Sequence, residues 1–145
     1  MRIIIGSDHA GFDLKELCYR HLEKYSDFII KDVGVYSTDS CDYPIIAHQV
    51  SKAVVKGEYD RGLLICGTGL GMSMTANKYS GIRAALCHNL YTVRMSRLHN
   101  NANILVMGSR VIGVGIAIEM LDLFLETGFE GGRHLNRVKQ INRKV

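Results

Sequence analysis

Residues 62–78 read GLLICGTGLGMSMTANK and place a thiol beside a glycine-rich turn. Leu63, Leu64 and Ile65 form a short apolar run that suits a buried strand, and Met72 to Lys78 suits a helix. Cys66 ends that strand. Glycines at 67, 69 and 71 let backbone N–H groups come close to a ligand, and the helix start adds unsatisfied N–H groups and partial positive charge. Such a turn is a cradle for a phosphate or an oxyanion, and a helix start favours thiolate over thiol in a cysteine beside it. Cysteine is as often a plain core residue. Cys18 and Cys87 read as core and Cys41 as a loop thiol; only Cys66 borders a glycine nest.

Familiar glycine motifs do not fit. A dinucleotide fingerprint needs a third glycine where Met72 stands and an acid about 20 residues on, where residues 88–91 are His, Asn, Leu and Tyr. The loop Gly6 to Gly11 spaces its glycines like a P-loop, yet Phe12 and Asp13 occupy the positions of the lysine and hydroxyl that hold phosphate and magnesium. A cysteine phosphatase needs an arginine six positions after its nucleophile, which is again Met72. The remaining set is a thiol, a nest of donors, imidazoles and arginines. It suits moving a proton from a carbon next to a carbonyl: a base takes the proton and fixed donors hold the enediolate oxygen. That chemistry calls for no metal and no cofactor. Arg133 and Arg137 are four apart, hence on one helix face, and can hold a phosphate by charge-assisted bonds. A sugar phosphate satisfies both ends, either as a substrate or as the ligand of a non-catalytic binding module.

The elements that must position these residues alternate along the chain. Strands are expected at Arg2–Gly6, Asp27–Val33, Arg61–Cys66, Arg83–Cys87 and Asn103–Gly108. Helices are expected from Gly11 to Lys24, with Leu14, Leu17, Cys18, His21 and Leu22 inward, and from Tyr43–Pro44 to about Gly57, with Ile46, Ala47, Val50, Val54 and Val55 inward. Further helices fall at Asn89–His99, Gly113–Thr127 and about 132–143, the last one basic; Met72 and Met74 read as packing. Short apolar strands alternating with helices predict an α/β, doubly wound, Rossmann-like fold: a five-stranded parallel sheet with helices on both faces. Ligands of such sheets bind beyond the carboxyl ends of the strands, where strand order reverses. Ser7, Asp8 and His9 follow strand one, Cys66 follows strand three, and Ser109 and Arg110 follow strand five. The end of the fourth helix is expected to bring His99 and Asn100 to the same edge.

Composition narrows the class. The 145 residues are 47% hydrophobic and 22% charged, which suits one domain over 1–145 with an ordinary core. The net charge of +4 comes from the tail: Arg133 to Val145 holds five basic residues and no acid, leaving 13 basic against 14 acidic groups elsewhere. No aromatic residue is interleaved with the tail charges, so nucleic acid is not the expected partner. No apolar run approaches the length of about 18 residues that a membrane span needs. Four cysteines without a Cys-x-x-Cys pair argue against a zinc or redox motif and fit a reducing compartment, so a soluble cytoplasmic protein is expected.

Several motifs together resemble the ribose-5-phosphate isomerase B family, whose wider fold includes galactose-6-phosphate isomerase subunits. They are GSDHAG at 6–11, DYP at 42–44, ICGTGLG at 65–71, ANK at 76–78, GIRA at 81–84, HN at 99–100, GSR at 108–110 and EGGRH at 130–134. The resemblance implies metal-free interconversion of ribose 5-phosphate and ribulose 5-phosphate, with a hexose 6-phosphate such as allose or galactose 6-phosphate as the alternative. It makes Cys66 the base between C1 and C2 and the turn Gly67, Thr68, Gly69, Leu70, Gly71 the anion hole. His99 would help open the furanose ring, and Asp8 would contact sugar oxygens. His9, Arg110, Arg133 and Arg137 would hold the phosphate, and Tyr43, Thr68 and Asn100 would line the sugar. It also implies a homodimer or tetramer with sites shared between subunits. Leu70 stands where isoleucine or valine is common in the family. Relatives with serine for the cysteine use a nearby glutamate, and here no acid lies between Cys66 and Lys78.

Overall fold

The computed structural model describes residues 1–143; Lys144 and Val145, which end the basic tail, lie outside the described residues. Five strands form one sheet in the order β2-β1-β3-β5-β4, every pairing parallel. They are β1 (Arg2–Ser7), β2 (Ile29–Asp32), β3 (Arg61–Cys66), β4 (Ala84–Leu86) and β5 (Ile104–Gly108). The chain steps from β1 to β2 on one side, then returns past β1 to β3. That reversal puts the switch point between β1 and β3, and β5 inserts between β3 and β4.

Side-chain alternation along the strands divides the core in two. Ile3, Ile5, Leu63, Ile65, Leu105 and Met107 face α1 (Phe12–Leu22), α4 (Leu90–Leu98) and α5 (Val114–Glu126). Ile4, Leu64, Cys66, Ile104 and Val106 face α2 (Tyr43–Val55) and α3 (Leu70–Ala76). A final helix, α6, covers Arg133–Ile141. Both sheet faces are therefore covered, as a parallel sheet requires.

Local differences from the periodicity have physical causes. A single 3-10 turn at His9–Gly11 precedes α1, and Asp8 caps it through Oδ1, which accepts from the Gly11 N–H at 3.0 Å. Helix α3 starts at Leu70, inside the glycine turn, because Gly69 takes the left-handed φ of +79° that a helix-leading turn needs. Leu17 and Val55 are exposed instead of inward, and so is Met74. Lys15, by contrast, is fully buried: its Nζ pairs with Glu16 at 2.7 Å and with Asp32. Burial works against that charge, yet hydrogen bonds to Asp32 and Glu16 outweigh it and hold the Lys15 pKa above its ordinary value. Asp32 Oδ1 also accepts from the Gly34 N–H at 2.8 Å, so the buried lysine anchors the loop that leads to Tyr43.

Candidate active site

The glycine turn and the loop after β1 meet at the carboxyl edge of the sheet. Asp8 is buried, and its N–H donates to the Ile65 carbonyl at 3.2 Å, pinning the first loop to β3. Gly11 is a required glycine: a Cβ there would lie 2.5 Å from the Ile65 oxygen. Cys66 is 5% exposed, and the Gly69 N–H donates to its Sγ at 3.1 Å. The sulfur is thus already held as an acceptor by one donor of the turn. Thr68 is exposed beside it, its Oγ1 accepting from the Leu70 N–H at 3.3 Å.

Neighbouring loops close round this turn. The Ser109 N–H donates to the Cys66 carbonyl at 2.9 Å and the Arg110 N–H to the Gly67 carbonyl at 3.0 Å. Ser109 Oγ donates to the Ala10 carbonyl at 2.7 Å, tying the loops after β1, β3 and β5 together. The Arg110 side chain passes Gly67, with Cδ and Nε 3.6 Å from where a Cβ would stand. Tyr43, the first residue of α2, lays its ring over Gly71; a Cβ there would come within 2.6 Å of its hydroxyl oxygen. His9 Nδ1 accepts from the Cys41 N–H at 3.3 Å, so Nε2 carries the proton. Asp8, His9, Tyr43, Cys66, Gly67, Thr68, Gly69, Leu70, Gly71 and Arg110 therefore share one edge, as expected.

His99, Asn100, Arg133 and Arg137 do not. Helix α4 leaves the carboxyl edge after β4 and runs back, so His99 caps its far end at the amino edge, where Arg83 begins the approach to β4. Arg83 Nε donates to the carbonyls of Asn100 and Asn101, both at 3.0 Å. Its Nη1 reaches Asn142 Oδ1 at 3.2 Å, fastening the end of α6 to that same edge. The six residues of β3 separate the two edges by roughly 17–20 Å at about 3.3 Å per residue. The expected convergence of the helix end on the Cys66 cleft is thus corrected: within one chain the candidate residues form two half-sites.

Gly108 is a close backbone approach in the carboxyl half-site that sequence reasoning did not weigh. A Cβ there would lie 2.7 Å from the Thr68 carbonyl carbon and oxygen and 2.9 Å from its Cα, so backbone must yield. Gly108→Ala is expected to displace the turn and, if its N–H groups serve as an anion hole, to lower kcat by about 10²–10³-fold, the usual effect of losing such a donor. Gly115→Ala in α5, where an added Cβ meets nothing within 4 Å, serves as the control that keeps kcat. Steady-state rates with thermal melts of both variants check it.

The amino half-site holds two residues that sequence reading left as ordinary. His134 is 2% exposed, and its ring stacks on His99 with centroids 4.1 Å apart and planes 7° apart. Glu130 Oε2 lies 3.8 Å from His99 Nε2 and 3.9 Å from His134 Nε2. These three bring ligand atoms within 4.8 Å of one another. Imidazole lone pairs lie in the ring planes, however, and near-parallel planes send them side by side instead of to one point. An ion held at about 2.0–2.1 Å by both nitrogens would stand well out of both planes. The stacked pair does not fit a metal. Cys18, by contrast with Cys66, is a core thiol: burial, with Asp122 nearby, pushes it up to about 12.

The profile of the ribose/galactose isomerase family matches residues 3–141. The chain belongs to that family. Ribose-5-phosphate isomerase B of Escherichia coli is 46% identical over 140 residues, covering 97% of this chain and 93% of the relative. The solved ribose-5-phosphate isomerase B of Clostridium thermocellum superposes with a TM-score of 0.96 at 49% identity, covering 98% and 95% of the two chains. That of Mycoplasma genitalium, solved with bound ribulose-5-phosphate, superposes at 0.93 and 42% identity, covering 98% and 94%. The five-stranded parallel sheet is thus the family's fold. No helix among the described residues is long and apolar enough to cross a membrane.

Proposed function

We propose that this chain is an aldose-ketose isomerase interconverting ribose 5-phosphate and ribulose 5-phosphate, with each active site built from two copies of the chain. The observation that carries the chemistry is the Cys66 Sγ held against the Gly69 N–H at the switch point of the sheet. Cys66 takes the proton from C2 of the open-chain aldose and returns it to C1. The donors of the turn from Gly67 to Gly71 hold the oxygen that gains charge in the enediolate. Asp8, Tyr43 and Thr68 line the sugar, and His9 with Arg110 receives the phosphate.

The two half-sites supply the reason for a second copy. Tyr43, Ile45, Leu70 and Met74 surround the cradle as exposed apolar side chains, 39%, 60%, 51% and 64% accessible. Such a surface is suited to cover by protein. In a two-fold dimer the contact is reciprocal, so one copy's amino edge brings His99, Asn100, Arg133 and Arg137 to the other's cradle, twice over. Arg133 and Arg137 are both exposed on α6, free to reach outward.

The test is conversion of ribose 5-phosphate by purified protein with a chelator present and no added cofactor, beside allose 6-phosphate and galactose 6-phosphate. Turnover of the pentose is expected. Preference for a hexose would move the substrate and keep the mechanism, while no turnover of any sugar phosphate by folded protein would leave a binding module.

A further inference from the structure

We propose that Glu130 and His134 are positioning residues for ring opening, acting through His99; the inference rests on the assignment of His99 to that step. Each contact is at the amino half-site. His134 backs His99 with a parallel imidazole face at 4.1 Å and is itself buried, so His99 keeps its freedom only in its own plane. The Nε2 atom of His134 is buried without a hydrogen-bond partner and faces Glu130 Oε2 at 3.9 Å, beyond hydrogen-bond reach. The Glu130 N–H donates to the Leu98 carbonyl at 3.1 Å, which fixes the Glu130 backbone beside the end of α4 that carries His99.

The charges around the stack decide which ring takes a proton. Burial pushes the His134 pKa down, His99 adds to the fall, Glu130 opposes it, and Arg133 and Arg137 lower it further. A charge on His134 would face His99 across 4.1 Å, and burial with the neighbouring arginines keeps His134 the neutral backing ring. The Glu130 carboxylate, 3.8 Å from His99 Nε2, is then placed to offset positive charge that arises on His99 during the reaction. Ring opening needs that arrangement. One nitrogen of His99 accepts the proton of the anomeric hydroxyl as C1=O1 forms and the C1–O4 bond breaks; the same proton then passes to O4. No net proton is taken up, and the Glu130 carboxylate offsets the charge of the transient imidazolium.

Ring opening can be read apart from isomerisation. Cys66→Ala removes the base but leaves opening and reclosure, which exchange the α and β anomers of ribose 5-phosphate, a process that NMR saturation transfer measures directly. In the Cys66→Ala protein, catalysed anomer exchange is expected. Adding Glu130→Gln, at an exposed position that leaves the fold intact, or His134→Ala should slow it by about 10- to 100-fold, the scale on which a functional histidine's outer partner matters. His134→Phe, which restores the flat face, should recover much of the loss to His134→Ala. Substrate binding should change little in each. Adding His99→Ala tests the underlying assignment: exchange that persists there removes His99 from ring opening and the proposal with it. Exchange lost with His99→Ala but unchanged with Glu130→Gln and His134→Ala overturns the proposal alone.

Discussion

Cys66→Ala is expected to lower isomerisation by about 10²–10⁴-fold, the range for losing a positioned general base. Sugar-phosphate binding should survive, because the proposed phosphate contacts are His9, Arg110 and the arginines of α6 and not the thiol. The structure narrows what the substitution perturbs. Cys66 lies at the strand end with its side chain 5% exposed, and its backbone carbonyl, which accepts from the Ser109 N–H at 2.9 Å, stays in place when Sγ is removed. The one direct loss is the Gly69 N–H bond to Sγ. A cavity the size of one sulfur costs some stability, so the check pairs the rate of ribulose 5-phosphate formation with a thermal melt and a ligand-binding titration. A rate within a few-fold of the parent, with binding intact, would take Cys66 out of the mechanism. The buried thiol Cys18 provides the contrast, since its substitution should touch the melt and leave kcat alone.

The edge on which each half-site lies was legible in the sequence, for one topological reason. Residues directly after a parallel strand must emerge at its carboxyl edge, so Asp8, His9, Cys66 and Arg110 could be grouped as soon as β1, β3 and β5 were recognised as short apolar runs. A helix that follows a strand must run back to start the next one, so its last residues lie at the opposite edge. That rule applies to His99 at the end of α4 and was available from the alternation of elements alone. Lys15 is a different case. Its burial depends on Asp32 from β2, a partner that helical periodicity cannot see. The tight approaches at Gly11 and Gly108 were equally invisible, because each faces backbone from a strand or turn far along the chain. Glu130 and His134 carried a faint signal, an acid and an imidazole four apart beside the arginines of the basic helix.

The division into half-sites makes a complementation experiment decisive. Cys66→Ala leaves the amino edge intact, whereas Arg133→Ala combined with Arg137→Ala leaves the cradle intact, and in the proposed dimer neither variant alone forms a complete site. Both arginines are exposed, so removing them takes charge and not core. A dimer of one copy of each kind holds one site with both lesions and one with none. Isolated with two affinity tags, that mixed dimer is expected to show about half the wild-type activity per dimer, from one intact site of two. If the sites were complete within single chains, the mixed dimer would show only the mean of its two impaired parents. That outcome requires α6 to reach the Cys66 turn of its own chain, across the length of β3. Arg83 holds the end of α6 at the amino edge through Asn142, and Glu130 binds the Leu98 carbonyl just before the helix begins. Both ends of the segment are tied down on the far side of the sheet, so activity in the mixed dimer would be the mark of a site completed by the neighbour.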